Sequence, residues 1–199
     1  TKRVSELLVQ AFAEKNQSKM IMSIVRFGNV LDSSGSVIPL FRDLIKSRSP
    51  IPITHPEVTR YFMLIPEAVN LILSTVAMSK GGEVFVLNMG EPIKILDLAK
   101  QMIKLSNLKL EDKDNEGDIK IKFIGLRKGE KLSEQLIIGN NYKLSNNKNI
   151  YVAHEDYIPY KNIINIIDTL IACTREGNED HAMKMVDEIL DDKIKKINN

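Results

Sequence analysis

The apolar residues of the first 27 positions change from a helical to a strand-like spacing. Those at the start recur every three or four residues, which predicts an amphipathic helix over residues 2–15. They are Val4, Leu7, Leu8, Ala11 and Phe12. The next stretch, MIMSIVRF, is apolar at consecutive positions and predicts a strand buried on both faces, as in a parallel sheet.

Helices and strands continue to alternate along the chain. Helical spacing predicts helices over 37–46, 66–76 and 95–105, the second of them opening at Pro66 and stopped by Gly81-Gly82. SRSPIPIT is predicted to be a loop that leads into a short strand, and EVFVLNMG and IKIKFIG are predicted strands, the last with one solvent-facing side. A glycine turn and a short helix are predicted over 127–139, an irregular segment over 142–157, and two helices from Tyr160 onward. This order is typical of an α/β or α+β fold, with too few strands for a complete doubly wound sheet.

Composition limits the partners and the setting. The 199 residues are 27% charged, with a formal net charge of +2, so no overall field favours nucleic acid or an anionic membrane. The single Cys173 excludes an internal disulfide framework and a structural zinc site and favours a reducing, cytoplasmic setting. The three histidines are too scattered to suggest a metal site. No run is apolar enough to span a bilayer, and no GxGxxG motif is present, so we expect any dinucleotide cradle to lie outside this chain.

The stretch RFGNVLDSSGSVIPLF places small polar residues between a predicted buried strand and a predicted helix. Asn29 comes first, followed by Ser33, Ser34, Gly35 and Ser36. Small side chains and open backbone N–H groups at such a junction permit the close approach of a phosphate or a sugar. The same composition is typical of a plain surface turn, so the motif by itself leaves both interpretations open.

Charged residues at three other places are candidates for anion binding. Arg60 lies in HPEVTRYFMLIPEA, where a guanidinium suits a diphosphate but also suits an ordinary surface position beside apolar neighbours. Arg127 and Glu130 flank a glycine turn in GLRKGEK, as a cation for phosphate and a carboxylate for ribose hydroxyls would, or as a simple i,i+3 surface pair. Lys2 lies on the first helix, where an isolated lysine is usually solvated.

Taken in order, these stretches resemble the nucleotide-sugar 4,6-dehydratases of polysaccharide biosynthesis, extended short-chain dehydrogenase/reductases that act on UDP-N-acetylglucosamine. The resemblance covers roughly residues 1–139, through TKR, RFGNVLDSSGSVIPLF, PITHPEVTRYFMLIPEAV, GGEVFVLNMGEPIKILDLAKQMI and IKFIGLRKGEKLSEQLI. It is greater for the long, membrane-anchored capsule and O-antigen enzymes than for the short flagellar-glycan enzymes. It implies the α/β fold of the C-terminal part of such an enzyme: the end of a Rossmann sheet, a smaller mixed α/β substrate-binding domain and a helical tail.

The resemblance also implies roles for particular residues. Lys2 matches the lysine that closes the family's catalytic YxxxK or MxxxK signature and binds the nicotinamide ribose, and Phe27 and Gly28 fall near the nicotinamide. Asn29 matches a residue that contacts the sugar nucleotide, and Ser36 and Val37 lie where the chain wraps UDP. Arg60 and Arg127 match the residues that bind the diphosphate, and Glu130 matches the residue that binds the ribose hydroxyls. Asp32 stands where a small residue is more usual.

The implied reaction is redox-neutral dehydration of the sugar, with NAD or NADP bound mainly by an N-terminal half that this chain lacks. Hydride leaves C4, water is lost across C5–C6, and hydride returns to C6. A related epimerase, or a non-catalytic binding or assembly module, remains an alternative. The expected setting is the cytoplasm or the cytoplasmic face of the inner membrane, with a membrane anchor possible upstream.

The chain is expected to have three parts: residues 1–30 as a Rossmann remnant, 31–139 as the UDP-sugar-binding domain, and 140–199 as a helical extension. The sequence opens without Met inside a predicted helix, which suggests a piece of a longer protein. The apolar faces of residues 2–15 and 19–27 would then lack their sheet. We therefore expect them to be exposed or buried in a homo-oligomer.

Overall fold

A computed structural model describes residues 2–15, 20–111, 116–139 and 141–190. The helices in these ranges are α1 (Lys2–Lys15), α2 (Val37–Lys46), α3 (Ile65–Met78), α4 (Ile95–Leu105), α5 (Tyr160–Glu176) and α6 (Glu179–Leu190). The strands in these ranges are β1 (Ile24–Arg26), β2 (Asn29–Val30), β3 (Ile51–Ile53), β4 (Thr59–Arg60), β5 (Phe62–Met63), β6 (Val84–Leu87), β7 (Ile93–Lys94), β8 (Leu110–Glu111), β9 (Ile119–Phe123), β10 (Tyr142–Leu144) and β11 (Ile150–Ala153). The mixture of sheets and helices confirms the predicted α/β class.

The chain divides into two compact units that are interleaved in sequence. Unit 1 contains residues 1–26, 72–87 and 137–199, and unit 2 contains residues 27–71 and 88–136. The boundary at residues 71 and 72 falls inside α3. The three-part division expected from the sequence concerns the roles of its segments and stays a prediction.

Unit 1 is built on a four-stranded sheet in the order β1-β6-β11-β10, in which β1 and β6 are parallel and the other pairs antiparallel. The central strand β6 is buried at all four positions, as its continuous apolar run VFVL requires. On α1, the positions at helical spacing are packed against α5 and α6. The buried side chains of this cluster are Val4, Leu7, Ala11, Ile158, Ile163 and Ile189.

This packing corrects one expectation. The apolar face of α1 is covered by the chain's own C-terminal helices, so the prediction that this face is exposed or buried against a second copy is wrong, whereas the homo-oligomer itself stays a prediction. The strand predicted over MIMSIVRF is also shorter than expected, since β1 contains three half-buried residues. Before it, Met20 and Ile21 are each 65% exposed.

The segment 142–157, expected to be irregular, contains the hairpin of β10 and β11. Polar side chains close its turn: the Asn147 N–H donates to Ser145 Oγ at 3.0 Å, and the Asn149 N–H donates to Asn147 Oδ1 at 3.0 Å. All three residues of β10 are exposed at the sheet edge. Tyr142 and Leu144 alternate with Lys143, but three residues are too few for an alternating pattern to predict a strand.

Unit 2 has a parallel three-stranded sheet, β3-β9-β8, against which α2 and α4 pack. Ile51 and Ile53 alternate inward from β3, and Phe41 and Ile45, one helical turn apart on α2, cover them. Two short pairs, parallel β2-β5 and antiparallel β4-β7, complete the unit. They fix the backbone around Asn29 and Arg60.

The described residues of 127–139 form no helix, so the short helix predicted there is wrong. Two carbonyls that would have accepted helical hydrogen bonds have distant partners instead. Leu132 O accepts from the Thr59 N–H at 2.8 Å, and Lys131 O accepts from the Arg60 guanidinium at 3.1 Å. These hydrogen bonds hold the segment beside β4 in a non-helical conformation.

Candidate functional site

The loop after β2 turns sharply into α2. Asp32 has a φ of 61° and Gly35 a φ of 73°, both in the left-handed region, which Gly and Asp tolerate better than most residues. Asp32 also pairs with Arg42 at 2.8 Å, which ties the loop to α2. The turn conformation and the ion pair with Arg42 therefore account for Asp32 at a position where a small residue is more usual.

The first turn of α2 presents unfilled hydrogen-bonding groups. Ser36 is the N-cap residue, but its side chain makes no capping bond, and its Oγ is buried without a partner among the described residues. The N–H groups of Val37 and Ile38 begin the helix and have no intrahelical acceptor. Together with the helix dipole, these groups favour an anion or a polar oxygen at this end.

A charge network lies across the same unit. The Thr54 hydroxyl donates to Glu130 Oε1 at 2.9 Å, and Arg60 Nη2 donates to the same oxygen at 3.2 Å. The Arg127 N–H donates to Glu130 Oε2 at 3.2 Å, within a turn closed by the Glu130 N–H on Arg127 O. Since a carboxylate has about four acceptor positions, Glu130 has about one left for a ligand.

The environment of Glu130 favours its ionised form. Burial pushes the pKa of this carboxyl upward, but the Arg127 N–H, the Thr54 hydroxyl and the charges of Arg60 and Arg127 together hold it below its ordinary value. Glu130 is therefore an acceptor at neutral pH. Because it is negative, any anion bound nearby needs cations close to it.

These groups surround one cavity of about 540 Å³ that lies wholly within unit 2. All six residues predicted to bind substrate line it: Asn29, Ser36, Val37, Arg60, Arg127 and Glu130. Such a volume is in the range of small-molecule sites, which run from about 300 to 1,000 Å³. The structure brings the six residues together, and their roles stay predictions.

The three residues predicted to bind the cofactor do not line this cavity. Lys2 is exposed at the start of α1, in unit 1, whereas Phe27 and Gly28 begin unit 2. A Cβ on Gly28 would lie 2.7 Å from Tyr61 Cβ, so close packing against Tyr61 accounts for the glycine. The cofactor roles of these three residues stay predictions.

Sequence reasoning missed three residues of the site. Thr54 and Lys128 line the cavity, and Glu134 lies 3.6 Å from Arg60 Nε with its Oε2 buried and unpartnered among the described residues. Lys128 was adjacent to a predicted residue in GLRKGEK. Thr54 and Glu134 gave no signal of their own, since their partners are distant in sequence.

Comparison with known proteins identifies the family. Residues 1–155 match the family described as Polysaccharide biosynthesis protein. The chain belongs to that family. Over 140 residues it is 55% identical to the capsular polysaccharide biosynthesis protein CapD of Staphylococcus aureus and 46% identical to the probable polysaccharide biosynthesis protein EpsC of Bacillus subtilis. Each match covers 70% of this chain but 22% of the relative.

The chain also shares sequence with an epimerase and a fold with solved structures. A UDP-glucose 4-epimerase of Rickettsia bellii is 34% identical over 156 residues, covering 72% of this chain and 42% of that protein. The X-ray structure of Pen from Bacillus thuringiensis is 32% identical, with a TM-score of 0.63 over 74% of this chain and 44% of that one. A UDP-N-acetylglucosamine 4-epimerase from Methanobrevibacter ruminantium, in complex with UDP-N-acetylmuramic acid, is 23% identical, with a TM-score of 0.51 over 69% and 43% of the two chains, and shows likeness of fold.

Within the ranges that the structure describes, no helix combines the length and apolar character needed to cross a membrane.

Proposed function

We propose that this chain supplies the UDP-sugar-binding part of a nucleotide-sugar 4,6-dehydratase that acts on UDP-N-acetylglucosamine in surface polysaccharide biosynthesis. The observation that carries the proposal is the 540 Å³ cavity, which combines a helix N-terminus, two arginines and a carboxylate. A nucleoside diphosphate joined to a sugar needs positive charge for its phosphates and acceptors for its hydroxyls. The family and its epimerase relatives support the same chemistry.

In this proposal the diphosphate lies toward the N-terminus of α2 and the cationic turn at 127–128. The remaining acceptor position of Glu130 takes a ribose hydroxyl, the buried Ser36 hydroxyl gains the partner that it lacks, and the Asn29 amide faces the sugar. Binding energy from the distant nucleotide would hold the hexose in place for reaction. NAD or NADP would supply hydride transfer, and we propose that residues outside this chain hold most of it.

The binding part of the proposal can be tested on the 199-residue chain by calorimetric titration of UDP. We expect wild type to bind UDP and Arg127→Ala to bind it about tenfold or more weakly, the usual cost of losing one charge-assisted hydrogen bond. Arg175→Ala, which removes an exposed arginine of α5 in unit 1, is the matched control and should bind as wild type does. Absence of UDP binding by the wild-type chain would contradict the proposal.

A related epimerase is the second candidate, favoured by the 34% identity to a UDP-glucose 4-epimerase. NMR analysis of products separates the two activities when the longest natural protein containing this chain is incubated with UDP-N-acetylglucosamine. A 4-keto-6-deoxy sugar supports the dehydratase, and a 4-epimer supports the alternative. UDP binding with neither product would indicate a binding module.

A further inference from the structure

Four charged side chains of unit 1 bind one another beside the first turn of α1. Glu6 accepts two hydrogen bonds from the Arg26 guanidinium, at 2.8 Å from Nε and 2.7 Å from Nη2. Glu155 accepts two more from the same guanidinium, at 2.5 Å from Nη1 and 2.8 Å from Nη2. Arg3 Nη1 lies 2.9 Å from Glu155 and 3.3 Å from Glu6. These four residues form a closed network, because each charged group faces an opposite charge of the same set.

The segment that follows β11 completes the closed network. Its Glu155 side chain is 3% exposed, and Arg3 Nη2 also donates to the Asp156 carbonyl at 3.1 Å. A carboxylate buried to this extent is stable only when cations and donors compensate its charge. The β10–β11 hairpin, which carries the chain to Glu155, is thereby tied to the first turn of α1.

Lys2 belongs to the same turn of α1 but not to the closed network. It directly precedes Arg3 and lies one helical turn before Glu6, so two neighbours on the helix are fixed by side-chain contacts. Lys2 itself is exposed, and no residue that the structure describes pairs with its ammonium. The two cations and two carboxylates of the network cancel, so Lys2 is the charge of this turn that remains available to a ligand.

The closed network lies at the carboxyl end of β1. Arg26 is the last residue of this strand, and β1 pairs in parallel with β6. Ligands of open sheets with parallel strands bind outside the carboxyl ends of those strands. A lysine ammonium has three donors, which suit the hydroxyl oxygens of a ribose. The place and chemistry of Lys2 therefore fit the cofactor role predicted for it.

Resting on the proposed function, we infer that Glu155 is a positioning residue, which through Arg3 and Arg26 holds the first turn of α1 so that Lys2 is presented at the carboxyl end of β1. Glu155 acts through α1 and touches neither substrate nor cofactor. This gives the β10–β11 hairpin a part in the reaction beyond the stability of unit 1.

Hydrogen exchange of the 199-residue chain observes the turn itself, without any ligand. Glu155→Gln keeps the side-chain shape and removes the charge. The amides of Glu6 and Leu7, which bond within the first turn, should then exchange about tenfold faster relative to the Ala11 amide than they do in wild type. An unchanged ratio would overturn the inference.

Ile163→Val is the matched control for stability. It removes one methyl group from a fully buried side chain of the cluster that covers α1, and it leaves the closed network intact. The variant should lower the thermal midpoint without raising the exchange of Glu6 and Leu7 relative to Ala11. If it raises that ratio as Glu155→Gln does, the effect of Glu155 is general stabilisation and the positioning role is wrong.

Kinetics of the longest natural protein containing this chain test the consequence for the reaction. Glu155→Gln should lower kcat by about tenfold and leave the KM for UDP-N-acetylglucosamine within about twofold, because the closed network lies in unit 1 and the nucleotide-sugar cavity in unit 2. Ile163→Val should keep the wild-type kcat. A wild-type kcat in Glu155→Gln, or a change in KM alone, would contradict the inference. Absence of turnover by the wild-type protein would instead contradict the proposed function, and hydrogen exchange alone would then decide whether Glu155 positions the turn.

Discussion

The two units each contain a network of two arginines and two glutamates, and the networks differ in what their charges face. In unit 1, Arg26 contacts Glu155 at 2.5 Å and Glu6 at 2.7 Å, and Arg3 contacts Glu155 at 2.9 Å. All four side chains point to one another, and Glu155 is 3% exposed. Burial lowers the pKa of Arg26, but its hydrogen bonds and charge interactions with Glu6 and Glu155 raise it above the ordinary value. This network joins α1, β1 and the segment after β11, and its charged groups are already paired with one another.

The network of unit 2 is open on one side. Arg60 is bound to Glu130 and Glu134 much as Arg26 is bound in unit 1, but Arg127 directs its backbone, not its guanidinium, to Glu130. The open side is the cavity, where charged groups and a helix N-terminus remain without partners among the described residues. The difference indicates that residue type alone does not make a binding site. A binding site also needs hydrogen-bonding groups beside a cavity that have no partner within the protein.

The largest expected effect comes from breaking the closed network, that of unit 1, in which all four side chains point to one another. Arg26→Met keeps most of the side-chain length but leaves Glu155 and Glu6 with Arg3 as their one cation in the network, and because a cation remains, the cost should be near the lower end, about 3 kcal/mol, of that for removing one partner of a buried pair. The free energy of unfolding of unit 1 should fall by about that amount, as measured by hydrogen exchange of the β6 amides. A loss below about 1 kcal/mol would show that the closed network is not stabilising.

A smaller effect is expected from removing one hydrogen bond of the open network, that of unit 2. Thr54→Val preserves side-chain shape and removes one of the three donors to Glu130, so the free energy of unfolding of unit 2 should fall by about 1 kcal/mol. Exchange of the β9 amides measures it. Thr169→Val, which removes a hydroxyl bonded within α5, is the matched control for unit 2 and should leave those amides unchanged. A loss as large as that of Arg26→Met would make the two networks equivalent.

Much of the fold was accessible from the sequence, because helices with a continuous apolar stripe carry their own signal. α1, α2 and α4 were predicted within their observed bounds. Failures occurred where distant residues decide the structure. The β10–β11 hairpin depends on side chains in its turn, and the helix predicted near Leu132 is replaced by bonds to Thr59 and Arg60.

The site was accessible in a similar, partial way. Small residues at a strand end identified the loop around Ser36, and the resemblance added Arg60, Arg127 and Glu130, which the structure brings to one cavity. The residues with which these charged side chains pair could not be predicted from the sequence. Arg26 and Arg60 each end a strand, but Arg26 binds Glu155, 129 residues away in the chain, and Arg60 binds Glu130, 70 residues away. The sequence reveals neither partner.

Acid should affect the two networks through different carboxyls. Burial raises the pKa values of Glu6 and Glu130, but their hydrogen bonds and neighbouring arginines hold both below the ordinary 4.5. A carboxyl with a lowered folded-state pKa stabilises the fold above its ordinary pKa, and this contribution is lost as pH falls through the folded-state value. Glu6→Gln should therefore reduce the acid sensitivity of unit 1 amides, and Glu130→Gln that of unit 2 amides. Equal effects of either variant on both units would contradict this assignment.

The smallest effect is expected for an ion pair in neither network. Lys94 lies 2.7 Å from Glu57 in unit 2, and the two side chains are 43% and 61% exposed, respectively. The hydrogen bond and charge of Lys94 lower the pKa of Glu57, so Lys94→Met should raise that pKa in a carbon-detected NMR titration. Water solvates both charges equally well apart, so the thermal midpoint should remain that of wild type. A clear fall in that midpoint would show that burial is not what separates the stabilising network of unit 1 from an ordinary surface pair.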